Sequence, residues 1–173
     1  MRSMKWLSGC VLITVIVGLL FAGGCTSNQK TTIARHAGMA SAVTWLGVDN
    51  PTTEEIAAVQ GIVNLIQTNV ARVAVGGSYY TVIMPIAQDY ITVYAKPNIQ
   101  PMCSLGAAWL LSGIDLVFAL NPSWATEQQE VCAIAQAFCE GAKQGLALAP
   151  DSPAVMAAKG QTDVRVVRKR QLR

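Results

Sequence analysis

Pro51 to Val73 reads PTTEEIAAVQGIVNLIQTNVARV, and this stretch decides the fold class. Asp49-Asn50-Pro51 makes a turn, Thr52 stands as an N-cap, and Glu55 lies where its side chain returns to the cap amide, completing a capping box. Behind the cap, Ile56, Val59, Val63, Ile66, Val70 and Val73 are spaced alternately three and four residues apart, which puts them on one stripe of a helix. Ile62, Leu65 and Ala74 widen that stripe beyond a coiled-coil seam. The segment therefore predicts a core-facing bundle helix, stopped by Gly76-Gly77.

The flanking segments extend the same pattern. Upstream, Thr31 to Gly47 carries Ala34, Gly38 and Ala42 at every fourth position, a small-residue face that lets another helix approach closely. Arg35, His36 and Ser41 argue for a soluble helix packed by that face rather than a membrane dimer seam. Downstream, Ser78 to Lys96 reads two ways. Tyr79, Val82, Ile83, Ile86, Tyr90 and Val93 fit a helix kinked at Pro85, whereas Tyr90-Ile91-Thr92-Val93-Tyr94 alternates like a strand. The kinked helix is preferred because a lone hairpin would have no sheet to join. Met102 to Leu120 holds a single charge, Asp115, and reads as a central helix. Asn121-Pro122-Ser123 turns the chain, and Thr126 with Gln129 offers a second capping box for a helix running to about Leu148. The expectation is an all-α fold, a single bundle of about five helices over residues 31–149; the alternative is α+β with a small hairpin at 79–95.

Composition bounds what such a chain does. Its 173 residues are 52% hydrophobic and 13% charged, too apolar for a disordered chain and about the size of one domain. The net charge of +3 conceals an asymmetry: residues 31–149 hold four Lys/Arg against eight Asp/Glu, and residues 150–173 hold six against two. An acidic body with few surface cations excludes a nucleic-acid-binding domain. Ala149-Pro150-Asp151-Ser152-Pro153 marks a boundary, followed by a short helix and a basic tail over residues 150–173.

The amino end is a targeting segment. Arg2 and Lys5 precede an apolar run from Trp6 to Phe21, which ends in Ala22-Gly23-Gly24. Phe21-Ala22-Gly23-Gly24-Cys25 resembles the lipobox of bacterial lipoproteins, with Ala22 where leucine is usual. The resemblance implies a signal peptide over residues 1–24 and Cys25 as the new first residue, carrying diacylglycerol on its thiol and a palmitate-like acyl group on its amine. Those acyl chains supply stable membrane anchoring. Thr26, which is not aspartate, favours the periplasmic side of the outer membrane in that family. Residues 25–30 are expected to be the lipidated cysteine and a polar tether. The resemblance covers residues 1–25 only and speaks to location in the cell envelope.

Chemistry-bearing residues are few. Cys132 and Cys139 lie seven residues apart on one helix, about 10.5 Å at 1.5 Å per residue, so a bridge between them would require unwinding. If the last two long helices form an antiparallel hairpin, Cys103 faces the region of Gly141, and Cys103 with Cys139 becomes the expected disulfide. His36 is the single histidine and has no Gly-x-Ser-x-Gly elbow to serve. Asp115 marks either a functional cavity or a structural partner for Arg72, Arg35 or a backbone group. No catalytic set, metal site or cofactor is expected. The reading is a lipid-anchored envelope protein whose helical domain binds an envelope protein partner or serves a structural role. Its alternatives are an integral membrane protein with spans near 6–23 and 102–120, and an apolar-ligand carrier with a cavity beside Asp115.

Overall fold

A computed structural model describes residues 26–149. Over them the chain forms α1 (Ser27–Asp49), α2 (Thr53–Asn69), α3 (Tyr79–Tyr94), α4 (Gln100–Leu120) and α5 (Gln128–Ala147), with 3-10 turns at Val70–Arg72 and Pro122–Trp124. No strand occurs among the described residues. Cys25, the expected signal segment before it and residues 150–173 lie outside them.

The helices run alternately up and down. Glu54 at the start of α2 pairs with Lys96 just past the end of α3 at 2.7 Å, and Ser104 of α4 donates to Gln88 of α3. Gln128 opens α5 by donating to the Val73 carbonyl beyond α2 at 2.9 Å. α1 and α5 are parallel, because Lys30 meets Glu130 at 2.9 Å and Arg35 meets Glu140 at 2.7 Å. These two helices form one layer, α2 and α4 form the next, and α3 lies across the outside of that second layer. One end of the bundle thus gathers Thr26, residues 70–79 and residues 115–131. The other, distal end gathers residues 49–53, 94–100 and 147–149.

Local sequence accounts for each element. The Thr52 box forms as expected: Glu55 N–H donates to the Thr52 hydroxyl at 3.3 Å, and Thr52 N–H donates to the Glu55 carboxylate at 2.6 Å. The predicted stripe is buried from Ile56 through Val73. α2 nevertheless ends earlier than Gly76-Gly77, because the Asn69 amide donates back to the Leu65 carbonyl and a tighter 3-10 turn carries Val70 and Val73 into the core. The hairpin at 79–95 is not formed. Tyr79, Ile83, Ala87 and Ile91 all bury on one helical face, and Pro85 sits on the exposed side. In α4 the buried Leu110, Leu111, Ile114 and Val117 contribute roughly 1.5–3 kcal/mol each by leaving water. α4 is the one helix among the described residues long and apolar enough to cross a membrane, and within the bundle its apolar surface contacts α1, α2 and α3.

The small-residue face of α1 packs on α5. Ala34, Ala37, Gly38 and Ala42 are buried. At Gly38 there is no room for a Cβ because the Phe138 carbonyl of α5 lies against it; at Gly141 the Arg35 carbonyl does the same in reverse. Two backbones therefore touch directly, and dispersion between them replaces what long side chains would otherwise provide.

Three expectations are corrected. The polar stretch before residue 31 is not a tether but the first turn of α1. Thr26 N–H donates to Gln29 Oε1 at 2.8 Å, and the Thr31 and Thr32 hydroxyls donate to the Asn28 carbonyl, so polar side chains are satisfied within a helix. Thr126 does not cap α5; Glu127 takes that place, and Gln128 reaches across to Val73. The Cys103–Cys139 bridge is not formed, and among the described residues Cys103, Cys132 and Cys139 are free thiols. α5 lies along α1 and scarcely meets α4, so the hairpin assumed for the bridge does not exist. Cys139 packs among Val63, Ile66, Leu110 and Ile114. That level of α4 is seven to eleven residues beyond Cys103, on the order of 10–16 Å, too far for a disulfide.

Candidate functional site

At the Thr26 end, the loop after α2, the start of α3, the last turns of α4 and the start of α5 enclose a cleft of about 410 Å³. The sequence explains why these pieces converge there. Gly76 adopts a left-handed φ of 76°, which turns the chain out of the 3-10 segment, and Ser78 then caps α3 by accepting from Thr81 N–H at 3.1 Å. Pro122 and the fully buried Trp124 close the other side after α4.

Asp115 lies in the wall of this cleft. Its carboxylate accepts from the Ser78 hydroxyl at 2.7 Å, from Tyr79 N–H at 2.6 Å and from Tyr80 N–H at 3.1 Å. It is thus a tertiary cap, an anion held at the positive N-terminus of α3, and of the partners considered from sequence it takes the backbone rather than Arg72 or Arg35. With three donors on its two oxygens the carboxylate has little capacity left for a ligand. The helix dipole, not a substrate, accounts for the one charge in the apolar helix.

Beside it the Tyr79 ring stacks on Phe118, with centroids 5.8 Å apart and planes 7° from parallel. The Tyr79 hydroxyl is buried without a hydrogen-bond partner among the described residues. Burial first, then the neighbouring Cys132, Cys139 and Asp115, push its ionisation well above the ordinary tyrosine range, so the phenol stays neutral. Burial likewise raises the Cys139 thiol to about 12, and burial with the nearby Glu55 and Glu54 carboxylates raises Cys103 to about 11. Neither thiol is activated as a nucleophile. His36 is exposed on α1, and among the described residues no group of three His, Cys, Asp or Glu is arranged to hold a metal ion.

The distal end has a different character. Val48, Val93, Tyr94 and Leu148, near the C-terminal ends of α1, α3 and α5, are 60, 71, 73 and 62% exposed. Three helix ends thus bring exposed aliphatic and aromatic side chains to one end of the bundle. Sequence reading missed both this display and the aromatic wall of the cleft. The exposed residues look like ordinary members of apolar helices, and only the packing reveals which face lacks a partner. For the cleft a signal existed in Gly76-Gly77-Ser78 ahead of an aromatic pair, a turn followed by a cap.

Comparison with protein-family models, with curated proteins and with solved structures finds no match for the chain.

Proposed function

We propose that the protein is a lipid-anchored component of a bacterial cell envelope, fixed through Cys25, whose helical domain acts by contact with an envelope protein partner and not by catalysis. The outer membrane, on its periplasmic side, is the favoured location. The observation that carries this reading is the position of the exposed apolar side chains relative to the expected anchor. Val48, Val93, Tyr94 and Leu148 stand at the end of the bundle opposite Thr26, about 30 Å away along α5. An anchor one residue before the cap of α1 leaves no slack between lipid and bundle, so the domain acts as a rigid spacer that presents its distal end to the periplasm.

Metabolic labelling with radioactive palmitate tests the anchor. Label is expected in the wild type and lost in Cys25→Ser. Label that persists in Cys25→Ser would overturn Cys25 as the attachment site, and an unlabelled wild type that resists carbonate would instead favour a protein spanning the membrane near residues 6–23 and 102–120.

A further inference from the structure

Both ends of the bundle display apolar side chains, but only one of them receives the chain from residue 25. Lys30 on α1 pairs with Glu130, and the next residue, Val131, lines the cleft. Thr26 precedes Lys30 by four residues, roughly 6 Å along the helix axis. The expected anchor and the cleft therefore share one end. Next in sequence to residues that line the cleft, Val75, Tyr80 and Leu116 are about half exposed, aliphatic and aromatic side chains that suit a membrane interface. Inside, the lining is mostly hydrocarbon, from Tyr79, Phe118, Ala119, Pro122, Ala125 and Val131. Its volume of about 410 Å³ lies within the range of small-ligand sites, about 300–1,000 Å³.

Resting on the anchored reading above, we propose that this end of the bundle lies on the bilayer and that the cleft takes up an acyl chain of a phospholipid from the anchoring leaflet. The Asp115 carboxylate does not oppose this, because its donors are the Ser78 hydroxyl and the amides that open α3. Charge plays a small part. Arg72, exposed beside the cleft loop, has no ion pair or hydrogen bond among the described residues and is free to meet a phosphate, but the exposed Glu127 nearby offsets it. With an acidic body behind them, the attraction does not depend on anionic lipid.

The test uses the full acylated chain in phosphatidylcholine vesicles whose acyl chains carry bromine, a short-range quencher of tryptophan. Phe118→Trp places a probe in the cleft wall, Val75→Trp one on its rim and Val48→Trp one at the distal end; the signal of the three native tryptophans after Cys25, Trp45, Trp109 and Trp124, is subtracted with the wild type. Intact mass of each sample reports acylation. The proposal expects about twofold or greater quenching at 118 and 75, and none at 48, for a face seated several ångströms into the interface. Quenching at 48 equal to that at 75, or at no position, in an acylated sample would overturn the inference and leave the anchor standing. Quenching at 75 without 118 would put the rim on the membrane but remove the acyl chain from the cleft, which also refutes it. An unacylated wild type would overturn both readings. If Phe118→Trp fails to fold, Ala119→Trp, an exposed position on the same cleft wall, takes its place.

Discussion

Gly141→Ala puts the packing of the bundle to a test of sign. Helix propensity alone favours alanine over glycine inside a helix by about 1 kcal/mol, so a surface reading predicts stabilisation. The structure predicts the opposite. A Cβ on Gly141 would run into the carbonyl of Arg35, and because both α1 and α5 present backbone there, no side chain can rotate aside. The helices would have to part along the most extensive interface in the bundle, which includes the buried Ala34, Ala37, Ala42 and Ala142. Overpacking costs about 1–3 kcal/mol, and a backbone clash belongs at the upper end of that range. Set against the gain in propensity, the net loss is about 2 kcal/mol, or a fall in Tm of about 8 °C for a domain of this size. Gly47→Ala is the control: nothing lies within 4 Å of its Cβ, so it gains about 0.5–1 kcal/mol. Thermal unfolding in a Cys25→Ser background, followed by far-ultraviolet circular dichroism, measures both. A Gly141→Ala variant as stable as the parent would refute direct backbone contact between α1 and α5.

Other consequences are as specific. Asp115→Asn keeps the size but removes the anion from the start of α3 and turns two acceptor oxygens into one; a loss of about 1–2 kcal/mol is expected. In Ser78→Ala combined with Asp115→Asn the losses should not add, because the Ser78 hydroxyl donates to Asp115, and additive losses in urea titration would contradict that bond. In the native protein a maleimide should label the half-buried Cys132 well before the buried Cys103 and Cys139, read by peptide mass; equal rates would argue against the packing of those two. Both buried thiols titrate higher in the fold than the ordinary value of 9.0, so the folded state holds their protons longer than the unfolded chain does. Stability from them is complete below about pH 9 and is lost as pH rises toward 11–12, and replacing both by alanine should flatten that fall in Tm.

How far the fold was legible depended on whether the deciding interaction was local. The Thr52–Glu55 box and the stripe behind it lie within α2, and both formed as the spacing required. The small face of α1 announced a close helix contact without naming the partner, since any helix with a matching glycine would serve; only the fold shows that α5 answers with Gly141 and Gly145. Where the deciding partner was remote, reading failed. Thr126 lost its cap role because Gln128 is drawn to Val73, fifty-five residues away. The proposed disulfide assumed that helices adjacent in sequence are adjacent in space, and α5 instead paired with α1, placing Cys103 and Cys139 at different levels. Asp115 was recognisable as a polar residue in a costly position, yet its true partners, Ser78 and the amides of Tyr79 and Tyr80, required the turn of α3 onto α4.

Acylation of Cys25 is tested most directly by intact-mass analysis of the protein expressed in a bacterium, wild type beside Cys25→Ser. The expected wild-type mass lacks residues 1–24 and carries a diacylglyceryl group with or without a further acyl chain, and that added mass disappears in Cys25→Ser. A wild-type chain that retains residues 1–24 and carries no lipid would contradict the anchor and, with it, the orientation of the bundle on the membrane.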